Sequence, residues 1–97
     1  MSGMTNFEFD VLGAVSNDYE AAHTICSGLA RDLGRPVSVE EVVSALAHLT
    51  KVGLVDAFVY DSSAKAFRQA PKVAVSPSDL WFMINSVGRA EYERFAG

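Results

Sequence analysis

The hydrophobic spacing of the chain changes at Gly53, and this change limits most strongly what the chain can fold into. Before Gly53, apolar residues recur every three or four positions, which is the spacing of a buried helical face. After it, residues 54–60 form a β-branched and aromatic run that favours a strand. Glycine readily adopts the left-handed conformation that ends a helix. The sequence therefore predicts an α+β fold, mainly helical, in which the helices precede the strands.

Three helices are predicted ahead of this strand. They cover about residues 6–15, 19–33 and 39–52. Thr5 or Asn6 is expected to cap the first helix, and Gly34 stands where a C-cap glycine would end the second. Ser38 and Glu41 form a capping-box pattern, in which each side chain can bond the backbone amide of the other residue. This is the strongest helix-start signal in the chain.

The remainder of the chain is predicted to hold a β-hairpin, one further segment and a terminal helix. Strands are expected at about 54–60, 65–70 and 80–84, and the helix at about 86–96. Residues 80–84 fit either a third strand or the start of a helix opened by Ser76-Pro77. Ser86 is expected to cap the terminal helix. Since 97 residues is the size of one domain, residues 1–97 are predicted to form a single domain.

The composition argues against several kinds of site. The single cysteine, Cys26, cannot form an intramolecular disulfide, and His23 and His48 are too few for a protein-only zinc site without carboxylates. No run approaches the ~18 apolar residues of a transmembrane helix. The sequence also lacks a phosphate-binding glycine loop and a dinucleotide fingerprint. We expect a cytoplasmic protein with no membrane segment, cofactor, metal or enzymatic activity.

Two segments resemble winged-helix transcriptional regulators of the PadR and MarR kinds. In Ala45–Val55, leucines spaced along a helix lead into Gly-Leu-Val. In Trp81–Tyr92, an aromatic run precedes Gly88-Arg89, with Asn85-Ser86 standing where those families carry Leu-Thr. The resemblance implies a winged helix-turn-helix, with a three-helix core, a β-hairpin wing and a C-terminal helix. It also favours a strand at 80–84.

The resemblance further implies that helix 3 enters the major groove of double-stranded DNA and that the wing touches its backbone. The positions of helix 3 predicted to face inward are Val39, Val42, Val43, Leu46, Leu49 and Val52. The residues expected to meet DNA from helix 3 are Ser38, Glu40, Glu41, Ser44, His48 and Lys51. Those expected to meet it from the wing are Lys65, Arg68 and Lys72.

Charge is distributed unevenly between the helical part and the wing part. The net charge is −4 in total. Residues 1–60 carry three basic and eight acidic residues, a net −5, whereas residues 61–97 carry five basic and four acidic residues, a net +1. The wing is therefore the part that can attract phosphate, while the acidic residues of helix 3 repel it.

Two functions are compatible with this pattern. The first is a DNA-binding transcriptional regulator, expected to act as a homodimer because DNA half-sites repeat along the duplex. The aromatic residues expected at the dimer interface are Phe7, Phe9, Tyr92 and Phe95. The second is a protein–protein interaction module with little or no DNA binding, which the acidic helix 3 and the pI of about 4.9 favour.

Overall fold

The computed structural model describes residues 4–70 and 80–96, and in this part of the chain helices and strands follow the predicted order with one addition. The helices are α1 (Asn6–Ala14), α2 (Ala22–Leu33), α3 (Val39–Lys51) and α4 (Ser86–Ala96). The strands are β1 (Glu20–Ala21), β2 (Val55–Asp61), β3 (Ala66–Gln69) and β4 (Trp81–Ile84). They form one antiparallel sheet in the order β1-β4-β2-β3. The fold is therefore α+β, as predicted.

The core lies between the first three helices and one face of the sheet. Its largest fully buried side chains are Val11, Leu12, Val15, Val42, Leu46, Leu49 and Val55. Phe82 and Ile84 of β4 close the core from the sheet side. The helices contribute an apolar stripe each, and the sheet covers the side that they leave open. This arrangement leaves the opposite side of α3 at the surface.

Local capping explains where α1, α2 and α3 begin or end. Thr5 caps α1 and forms a complete capping box with Glu8. Gly34 ends α2 in the left-handed conformation, with φ of 66°. At α3, the Ser38 hydroxyl accepts a hydrogen bond from the amide of Glu41 over 3.1 Å. The Glu41 carboxylate does not complete the predicted box, because it lies 3.4 Å from the guanidinium of Arg35 instead.

The prediction that helix 2 begins near residue 19 is wrong. Glu20 and Ala21 form β1, which pairs with Phe82 and Trp81 of β4. The helix starts at Ala22, and no side chain caps it. The helical spacing of the apolar residues continues into this segment, but pairing with a strand some sixty residues later in the chain determines its conformation.

Asn85, and not Ser86, caps the start of α4. The prediction that Ser86 caps this helix is therefore wrong. The Asn85 side-chain oxygen accepts from the amide of Gly88 over 2.8 Å, which is the bond of an N-cap residue. Its side-chain amide donates to the carbonyl of Gly53 over 2.9 Å. Its backbone amide donates to the carbonyl of Leu54. Asn85 therefore ties the start of α4 to the junction between α3 and β2.

The outer face of the sheet carries an aromatic cluster that is separate from the core. Phe67 contacts three other rings: it stacks on Tyr19 at 4.0 Å between centroids and meets Tyr60 and Trp81 edge-on. Phe58 meets Tyr19 edge-on at 4.9 Å. The strand register places Phe58 opposite Trp81 and Tyr60 opposite Phe67, so these side chains share one face. The aromatic residues of the sheet thus stabilise the wing by packing on one another.

Candidate nucleic-acid interface

The exposed side of α3 is more apolar at its two ends than the sequence predicts. Its buried residues are Val42, Ala45, Leu46 and Leu49. Its exposed residues include Glu40, Ser44, Ala47 and Lys51. Val39 and Val52 are 44% and 49% exposed, so their predicted inward orientation is wrong. Both lie at the ends of α3, where the helix extends past the elements packed against its centre.

Two of the residues predicted to meet DNA from α3 are held by other parts of the chain. His48 Nδ1 lies 2.7 Å from Glu8 Oε2, which joins α3 to the start of α1. Glu41 pairs with Arg35, whose guanidinium also lies 5.7 Å from the centre of the Phe7 ring. Glu8 is 40 residues from His48, and Arg35 precedes α3, so the spacing of residues along α3 alone could not reveal these partners.

The wing is the β2–β3 hairpin, and an Asx turn organises its tip. Asp61 Oδ1 accepts hydrogen bonds from the amides of Ser63 and Ala64 at 3.0 and 3.2 Å. Lys65 follows with φ of 52°, the left-handed conformation that brings the chain into β3. Lys65 is exposed and forms no ion pair within the described residues. The turn therefore presents a lysine at the tip of the hairpin.

The second predicted cation of the wing, Arg68, is paired. Its Nη1 donates to Asp61 Oδ2 over 3.0 Å. The hydrogen bond from Arg68, together with that from the Ala64 amide, holds the pKa of the Asp61 carboxyl below its ordinary value. The third predicted cation, Lys72, lies outside the described residues.

Three of the four aromatic residues predicted at a dimer interface, Phe9, Tyr92 and Phe95, contact one another within the chain, whereas Phe7 lies beside Arg35. Phe9 stacks on Tyr92 with 4.7 Å between ring centroids, and on Phe95 at the same distance. Gly13 lets Tyr92 approach α1, because a Cβ there would lie 3.1 Å from the tyrosine oxygen. These contacts pack α4 against α1. Phe95 remains 40% exposed at the edge of the stack.

The described residues contain no group of three His, Cys, Asp or Glu side chains placed to hold a metal ion. None of the helices in this same part of the chain is long and apolar enough to cross a membrane.

No protein-family model matches the chain. No curated protein matches its sequence. Among solved structures, the chain is similar to Bacillus subtilis PadR in complex with operator DNA, with a TM-score of 0.69 and 16% sequence identity. The match covers 95% of this chain and 47% of that chain, so the present chain spans about half the length of its structural neighbour.

The class that the fold defines is the winged helix, with a three-helix core and a β-sheet wing. Within that class, the likeness shows a PadR-like winged-helix fold. The fold implied by the leucine-rich helix and the Gly-Arg segment is thereby confirmed.

Proposed function

We propose that this chain is the winged-helix DNA-binding domain of a transcriptional regulator, with α3 in the major groove and the β2–β3 wing against the phosphate backbone. The observation that carries the proposal is the match over 95% of the chain to a protein solved on operator DNA. The exposed side of α3 supports it, because Ser44, Ala47 and Lys51 are all exposed there.

The contacts proposed on α3 differ in chemistry. Lys51 neutralises a phosphate, and the hydroxyl of Ser44 bonds either a base edge or a phosphate. Glu40 accepts from the amino group of a cytosine. Ser38 and Glu41 lie at the first turn, where their hydrogen bonds are already in use. His48 meets DNA through Nε2, since Nδ1 faces Glu8.

On the wing, Lys65 is the proposed phosphate contact among the described residues. Lys72 is proposed from the sequence alone. Neither contact distinguishes one base pair from another, so they position the domain and do not select its operator.

We also propose that two copies of the chain act together. We propose the cytoplasm as the location of the protein. The groove between α1, α2 and α4 has a volume of about 260 Å³ and is lined in part by Phe9, Leu33 and Tyr92. Leu33 and Phe95 are exposed beside it. A second copy that covered this surface would bury both side chains. A solution mass near twice 10.4 kDa supports this pairing, and a mass of 10.4 kDa at millimolar concentration contradicts it.

A protein–protein interaction module is the second candidate function. The acidic residues at the start of α3 and the pairing of Arg68 with Asp61 both favour it, because they weaken attraction to phosphate. A module of this kind would keep the fold and lose the salt-dependent affinity for DNA.

Binding of labelled duplex DNA from a random pool, measured at several salt concentrations, separates the two functions. We expect the logarithm of the affinity to fall linearly with the logarithm of the salt concentration, with a slope that corresponds to several released ions. Lys51→Ala and Lys65→Ala should each weaken binding to all sequences alike and lower the slope by about one. Arg94→Ala is the control, because Arg94 lies on α4 and pairs with Glu91. No binding at ~50 mM salt would overturn the proposal and leave the interaction module.

A further inference from the structure

Asp61 is the most firmly held carboxylate of the wing. Its Oδ1 accepts two backbone amides, those of Ser63 and Ala64, and its Oδ2 accepts from Arg68. Its side chain is 24% exposed, whereas that of Arg68 is 70% exposed. The carboxylate is therefore part of the turn, and the guanidinium is the partner that can move.

The strand register explains why the two side chains meet. Asp61 lies opposite Ala66, and Arg68 stands two residues further along β3, opposite Val59. Asp61 and Arg68 thus share one face of the hairpin as diagonal neighbours, within reach of a long side chain. The pair needs no distortion of the backbone to form.

A paired guanidinium is a poor contact for a phosphate. The nearby carboxylate repels a bound phosphate and thereby offsets most of the attraction between the guanidinium and that phosphate. We infer that Asp61 limits the affinity of the wing for duplex DNA by holding Arg68 away from the phosphate backbone. This inference rests on the proposed function, and it identifies Arg68 as a residue that supports the turn in the native protein.

The substitution Asp61→Asn tests this directly. An asparagine oxygen can still accept from the amides of Ser63 and Ala64, so the turn is retained while the charge is removed. Arg68 then becomes free to engage a phosphate. We expect Asp61→Asn to tighten binding to random duplex DNA about three- to tenfold at ~50–100 mM salt and to raise the salt slope by about one ion.

Four further variants make the outcome specific. Glu93→Gln changes the net charge equally on α4, which packs on α1 and β4, and is expected to alter affinity less than twofold. Arg68→Gln leaves the Asp61 carboxylate without its cationic partner, so it is expected to weaken binding slightly, and clearly less than Lys65→Gln does. The double variant Asp61→Asn/Arg68→Gln should lose the gain of Asp61→Asn.

Each contrary result has a distinct meaning. If the native protein binds DNA but Asp61→Asn gains nothing, or Glu93→Gln gains as much, the inference is wrong and the proposed function stands. If Arg68→Gln weakens binding as much as Lys65→Gln, Arg68 already contacts DNA and the inference is again wrong. If the native protein binds no duplex at ~50 mM salt, the proposed function and the inference both fail.

Discussion

At the scale of single residues, the packing around Gly88 explains why the Gly88-Arg89 segment requires a glycine. A Cβ at Gly88 would lie 2.0 Å from the carbonyl oxygen of Leu54 and 2.8 Å from a side-chain carbon of Ile84. The next residue, Arg89, donates to the carbonyl of Ser16. Both residues therefore hold α4 in place, the glycine by close approach and the arginine by a hydrogen bond.

Gly88→Ala is expected to lower the free energy of unfolding by about 3 kcal/mol, because α4 must move away from a backbone carbonyl to admit the methyl group. Urea denaturation followed by circular dichroism measures this loss. Gly28→Ala is the control, since a Cβ at Gly28 has nothing within 4 Å and should leave stability unchanged or raise it by up to about 1 kcal/mol. Equal stability of the Gly88 variant and the native protein would contradict the packing described for α4.

The ionisation of Asp61 depends on the hydrogen bonds that organise the tip of the wing. The hydrogen bond from Arg68 and those from the turn amides favour the carboxylate, which lowers its pKa from 3.8. Because the folded pKa is depressed, the stabilising contribution of this group is present above the unfolded pKa. It is lost as the pH falls through the folded pKa.

Carbon NMR of the Asp61 carboxyl should therefore give a titration midpoint below 3.8 in the native protein. Arg68→Gln should move the midpoint back towards 3.8, since it removes the largest cause of the shift. Lys65→Gln should leave it in place. An unchanged midpoint in Arg68→Gln would show that the Asp61–Arg68 pair does not form in solution.

At the scale of elements, α4 depends on one side chain at its start. Asn85 caps the helix through its oxygen and bonds the carbonyl of Gly53 through its amide. Asn85→Ala should cost about 2 kcal/mol of unfolding free energy, as expected for loss of a cap. Ser86→Ala should change stability by less than about 0.5 kcal/mol. The reverse order of the two losses in thermal denaturation would assign the cap to Ser86.

The bounds of some helices could be predicted from the sequence, whereas one strand and one helix cap could not. The starts of α1 and α3 and the end of α2 were predictable because Thr5, Ser38 and Gly34 act within a few residues of themselves. The strand β1 was not predictable, since its conformation depends on pairing with β4. The predicted N-cap of α4 is one residue too late in the chain. Asn85 holds this position because its side chain also bonds the carbonyl of Gly53, which lies far away in the sequence.

The candidate site was less predictable than the fold for a similar reason. Spacing along α3 identified Ser44 and Lys51 as surface residues, and the structure places both there. It could not identify the partners of His48 and Glu41, which lie outside α3. Pairing of Arg68 with Asp61 depends on strand register, so the sequence overestimated the free positive charge of the wing.

For the molecule as a whole, the negative net charge is unfavourable for the function that we propose. The proposed function is DNA binding, while a net charge of −4 opposes non-specific attachment to phosphate. We therefore propose that the contact with DNA is confined to the exposed side of α3 and the tip of the wing. Affinity should then be modest and strongly dependent on salt.

The most direct test is an NMR titration of the isotopically labelled protein with duplex DNA at low salt, reading which backbone amides shift. The account predicts shifts concentrated on α3, including Ser44, Ala47 and Lys51, and at Lys65 on the wing, with loss of the shifts as salt is added. Absence of shifts, or shifts confined to α1 and α4, would contradict it.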